Sequence, residues 1–211
     1  MVKCLVIILL STMLLVGINT FSASLPPPYY AGYFYYGPPG GYPPPNGVKG
    51  NIYTIDKDGT YCQWVTVMLS YTPMYWVQVG YDKSSKSNFK LLSFYEKKDE
   101  NGYDFEYFNS RTPGVTYQYW ISKDPSLHVW TCGSNDWSKF LNVLKPNSAV
   151  DYQAFSEMPL PTLVNIDGTH FMYLSYRIYD WWLWDRCVEH ADEPYWIIKV
   201  SNYEFYAGGG W

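Results

Sequence analysis

Residues 75–82 read YWVQVGYD. Aromatic and β-branched side chains without a 3.6-residue period make this a β-strand. Successive side chains on a strand point to opposite faces. Tyr75, Val77, Val79 and Tyr81 therefore share one face, and Trp76, Gln78 and Gly80 share the other. An amide in the middle of such a strand stands at solvent, pairs with a buried neighbour, or lines a site.

The same texture repeats from Val48 onward. GNIYTI turns at DKDG, YCQWVTVMLS stops at TP, and FKLLSFYE is followed by DENG. YDFEYF, VTYQYWIS, LHVWTCG, AVDYQAF, THFMYLSYRIY and YWIIKVSNYEF complete the series. Short strands at this spacing, with Gly, Pro, Asn and Asp between them, predict an all-β fold, an antiparallel double-sheet sandwich or jelly roll. DWSKFLNVL (136–144) reads as a turn or two of helix or as another strand. AGGGW at the C-terminus reads as a frayed tail or an edge.

Ahead of this domain lie two segments of different character. Residues 1–24 combine Lys3, an apolar run from Cys4 to Ile18 and a small-residue Ser22-Ala23-Ser24 site. That is an export signal, expected to be cleaved and to leave a secreted or cell-surface protein; an uncleaved membrane anchor is the alternative. Residues 25–47 carry eight prolines among tyrosines and glycines. Proline at that density predicts an extended linker or arm outside the packed domain, which is then 48–211.

The chain is 211 residues long, 20% aromatic and 16% charged, with a net charge of -4. Such a chain buries a substantial core. It has no basic surplus with which to neutralise phosphates, so a nucleic-acid partner is not expected. In an exported chain, Cys62, Cys132 and Cys187 predict one disulfide and one spare thiol. His128, His170 and His190 are far apart in sequence, and no compact cysteine pair accompanies them. No metal or cofactor is expected.

Few motifs carry chemistry. The Asp56-Lys57-Asp58-Gly59 turn has the start of a calcium loop without its later ligands, and reads as a hairpin turn. In DWWLWDRC, Trp182 and Trp184 share one strand face and Trp181 the other. They read as core with at least one ring in a groove. Glu96 and Glu106 lie on neighbouring strands, and as a close pair on one face they would suit a retaining glycosidase. Whether they share a face depends on register. Signatures of serine hydrolases, zinc peptidases, P-loops and dinucleotide sites are absent.

Three segments, in this order, resemble the glutamic peptidases, a family built on a concanavalin-like sandwich. WVQVGYD resembles the strand that carries that family's catalytic glutamine, SFYEK its neighbour with a cleft acid, and DYQAFSEMPLP the segment with its acids. The resemblance implies that Gln78 is an oxyanion-holding amide, Glu96 a cleft acid and Glu157 the second acid of the third segment. It places Gln153 where the catalytic base is expected, and an amide cannot shuttle a proton. A slip of four residues restores an acid, because Gln153 and Glu157 share a strand face.

With Gln153 in the base position, the sequence favours a non-catalytic surface protein. It would bind carbohydrate or peptide in a concave cleft lined by Trp76, Gln78, Phe94, Glu96 and Gln153. Gly80 on that face would leave room for a ligand. The alternatives are a secreted peptidase or glycosidase using Gln78 with Glu157 or Glu96, and a structural surface or filament subunit docking through the arm.

Overall fold

The structure, a computed structural model, describes residues 29–35, 46–57, 64–72, 75–123, 129–141, 151–158 and 164–210. Among these residues the chain is all strand and turn, arranged as two antiparallel sheets. The first sheet runs, in spatial order, through β13 (Val188–Ala191), β1 (Tyr29–Tyr35), β10 (Asp151–Met158), β3 (Trp64–Thr72), β4 (Tyr75–Asp82), β5 (Leu92–Asp99) and β6 (Gly102–Ser110). The second runs through β14 (Tyr195–Ser201), β15 (Glu204–Gly209), β11 (Thr169–Arg177), β2 (Gly47–Tyr53), β7 (Thr116–Lys123), β8 (Trp130–Ser134) and β9 (Trp137–Leu141). A short β12 (Trp181–Leu183) pairs beside β11. The double-sheet sandwich expected from strand spacing is what the chain forms.

Period-two alternation builds the core. Val77, Val79 and Tyr81 point inward from β4, Tyr152 and Ala154 from β10, and Ala31, Tyr33 and Tyr35 from β1, all fully buried. Val48 and Ile52 of β2, Tyr119 and Ile121 of β7, and Phe171 and Phe205 meet them from the second sheet. The Tyr33 and Phe205 rings stack at 4.1 Å across the sandwich. Each of the Val, Ile and Phe side chains among them contributes roughly 1.5–3 kcal/mol by leaving water.

Arg111, on the link between the sheets, is a polar anchor. Its side chain is fully buried and grips Asp136 with two nitrogens at 2.8 and 3.0 Å, while Nε donates to the Tyr119 hydroxyl at 2.9 Å. The guanidinium holds the Asp136 carboxyl below its ordinary range, chiefly through that hydrogen bond. Arg111→Ala is expected to cost about 3 kcal/mol, because it leaves the buried Tyr119 hydroxyl without its donor and Asp136 with only the Asn109 amide in place of the guanidinium. A urea midpoint equal to that of the unmodified protein would refute this.

Several expectations are corrected. The Pro-rich segment is not wholly an arm: Tyr29–Tyr35 is a strand inside the first sheet, between β10 and β13. The prolines flank this stretch and none interrupts it, so Ala31, Tyr33 and Tyr35 alternate into the core. The folded domain therefore begins before Val48. The signal segment and residues 36–45 lie outside the described residues. The 136–144 stretch contains a strand, β9, and its last three residues lie outside the described set. The glycine-rich end is no frayed tail, because Ala207–Gly209 are buried in β15 between β14 and β11. Trp182 and Trp184 do not share an environment. Trp182 is exposed in the middle of β12, while Trp184 follows the strand and stacks under Tyr35. Cys132 and Cys187 are free thiols and do not pair with each other, while Cys62 lies outside the described residues. Cys132 is sealed in the core.

Candidate functional site

The outward face of the first sheet carries the site. Register places Gln78 on β4 directly opposite Glu96 on β5. The Gln78 amide Nε2 donates to one Glu96 oxygen, and the Tyr103 hydroxyl donates to the other. Both acceptors of Glu96 are thus engaged, which fixes the orientation of the amide. The Trp76 ring meets Tyr103 edge-on at 6.5 Å.

Across β3 lies the second wall. Gln153, Phe155 and Glu157 alternate outward on β10, and β1 sets Phe34 opposite Gln153 and Tyr30 opposite Glu157. Tyr30 packs edge-on against Phe155 at 5.4 Å. Gly32 faces Phe155 between them, and a Cβ there would run into the Ala154 carbonyl and the Phe155 Cβ. Glycine is what lets β1 approach β10 closely enough to form this wall. Between the two walls is a groove of about 350 Å³, with aromatic sides and a floor of amides and acids.

The electrostatics single out one group. Burial pushes the Glu157 carboxyl up to about 7, the negative charge of Glu96 adds to the rise, and Lys86 opposes it. Asp82, also on this face, is pushed up to about 6 by burial, against hydrogen bonds from Tyr107 and Ser84. Tyr30 and Tyr103 are held above the ordinary phenol value, mainly by burial, and remain neutral donors. Burial thus carries the Glu157 carboxyl toward neutral pH. Among the described residues no three of His, Cys, Asp and Glu converge as a metal-holding group.

Trp76, Gln78, Glu96, Gln153 and Glu157 all line this one groove. Phe94 does not. It shares the face, but it is fully buried and stacked under Phe105. The Glu96–Glu106 pairing is also corrected: register sets Glu106 opposite Tyr95 and Glu96 opposite Phe105, so the two acids occupy opposite faces. Glu106 pairs with Lys139 instead, at 2.5 Å. Tyr30, Phe34, Phe155 and Tyr103 line or brace the groove without having been predicted. The alternation in YYAGYFY was the available signal for the first two.

No family model and no curated protein matches the chain. Among solved structures, it is similar to scytalidoglutamic peptidase with a transition-state analogue inhibitor. The TM-score is 0.59 at 10% identity, over 86% of this chain and 98% of that one. A second structure of that peptidase, with a peptide-based transition-state analogue, aligns over the same shares at a TM-score of 0.56 and 10% identity. The fold is a glutamic-peptidase-like β-sandwich.

Proposed function

We propose that the chain is an exported peptidase of the glutamic type, with Glu157 as the proton-transfer group and Gln78 as the amide that holds the oxyanion. The observation that carries this reading is a carboxyl raised to about 7 in the same groove as an oriented amide. Ionised Glu157 takes a proton from water as the water attacks the scissile carbonyl, then returns it to the departing amine. Gln78 spends one N–H on Glu96 and has a second for the developing oxyanion. Tyr30, Phe34, Trp76 and Phe155 suit a substrate with bulky apolar side chains beside the scissile bond.

The non-catalytic reading takes its weight from the amide at Gln153. The same groove also contains Glu157, which supplies the ionisable group that Gln153 lacks. A slip of four residues along β10 is thus the alignment this site favours.

The working pH follows from the base. Glu157 must be ionised, so kcat/KM on a denatured protein substrate is expected to rise with pH through about 7. Glu96→Gln removes the neighbouring negative charge. It is expected to move that rise to lower pH, along with a loss of rate from the freed Gln78 amide. A rise that stays in place would show that Glu157 does not set it.

A second reading has its own observation, the two carboxylates Glu96 and Glu157 in one groove with one of them raised. That division of roles is what glycoside hydrolysis uses. Cleavage of β-linked glucans but not of protein would favour it over the peptidase.

A further inference from the structure

On the opposite side of the sandwich, the second sheet carries a cavity of about 300 Å³ that belongs to no part of the groove. Three rows of paired residues build it. Trp181, Arg177, Gly47, Ser122 and Thr131 form one row across β12, β11, β2, β7 and β8. Lys49, Trp120 and Gly133 form the next, and Gln118 stands beyond. The two glycines keep the surface low where the indoles lie. A Cβ on Gly47 would come within 3.1 Å of the Trp181 ring, and one on Gly133 within 3.0 Å of Trp120.

The charge is one-sided. In a chain of net charge -4, Lys49 and Arg177 both line this cavity, and no carboxylate does. Neither cation forms an ion pair with a described residue. Lys49 rests over the Trp181 ring at 4.4 Å, and Arg177 bonds the Ser122 hydroxyl at 2.7 Å. Burial and the nearby Arg177 charge push the Lys49 ammonium below its ordinary value. Two like charges held together with no counter-ion among the described residues leave an anion's place between them.

We propose that this cavity binds a sugar that bears a carboxylate, with Lys49 and Arg177 on the carboxylate and Trp120 under the ring. Peptides are read on sheets largely through backbone hydrogen bonds at a free edge. Here β2 lies between β11 and β7, and β7 between β2 and β8, so both sides of each ladder are already used. The ligand must be read by side chains alone. Gln118 spends its amide nitrogen on Asn51 at 3.2 Å, which leaves the amide oxygen to accept from a sugar hydroxyl. The volume suits one ring, with neighbouring rings in solvent.

The test is calorimetric titration of the full chain with a hexuronate tetramer, a neutral hexose tetramer and polyglutamate at fixed ionic strength. The uronate is expected to bind at least tenfold tighter than either. Lys49→Gln is expected to weaken it about tenfold and Lys49→Glu further, both with an unchanged thermal midpoint. Glu157→Gln is expected to bind as the unmodified protein does, which separates this site from the groove. Equal binding of the neutral tetramer, no binding, or no loss in Lys49→Glu would overturn the proposal. Tighter binding of polyglutamate would replace the sugar by an acidic peptide.

Discussion

Glu157→Gln is expected to lower hydrolysis of a denatured protein substrate by about 10³-fold and, at the same time, to stabilise the fold above neutral pH. The rate loss is the scale of a positioned general base. The amide keeps the shape of the side chain and cannot carry the proton. The stability gain has a definite sign. Glu157 is raised from 4.5 to about 7 in the folded chain, so the native state binds more protons than the unfolded state between those values. Its contribution is fully present below pH 4.5 and is lost as pH rises through about 7, a total of about 3 kcal/mol. Glutamine loses nothing over that window. Urea unfolding at pH 4 and pH 8.5 checks it: the two proteins should agree at the lower pH and diverge at the higher. Parallel curves would show that Glu157 is not shifted. Retained activity would remove it from the mechanism.

Gly32→Val is the other large effect, on stability and site together. The added side chain meets backbone of β10, which cannot move aside as a flexible side chain can. Separating β1 from β10 also withdraws Tyr30 and Phe34 from the groove and exposes the faces of Tyr33 and Tyr35. About 3 kcal/mol or more of destabilisation is expected, the upper range for overpacking. Groove function should fail even under conditions where the protein remains folded. The thermal midpoint and the substrate cleavage rate measured on one preparation are the check. An unchanged midpoint would mean that β1 does not pack as described.

The strand pattern made the sandwich legible, since alternation such as Val77, Val79 and Tyr81 against Trp76 and Gln78 is a local property. Register is not local. Gln78 faces Glu96 only because of where the turn between β4 and β5 sets the pairing. Glu106 lands on the far face because β5 and β6 pair as they do. β1 was hidden because the prolines on either side outweigh a seven-residue alternation. With β1 misread, the Tyr30 and Phe34 wall could not be found. The position of the acid was half legible. Parity put Gln153 and Glu157 on one face, but only burial beside Glu96 distinguishes the group that titrates. Trp184 was misassigned because β12 ends at Leu183, before the alternation reaches it.

The place of β1 has a consequence for how the protein is made. Tyr30 bonds Asp192 at 2.8 Å across 162 positions of sequence, and the rest of its strand pairs with β10 and β13. During synthesis at about 5–20 residues per second, this early aromatic strand waits roughly ten to thirty seconds for its neighbours. For that interval Tyr33 and Tyr35 have no core to enter, and a nascent chain has only one wall of its groove. The groove is incomplete until the late strands have emerged, so its second wall is among the last features of the fold to be set.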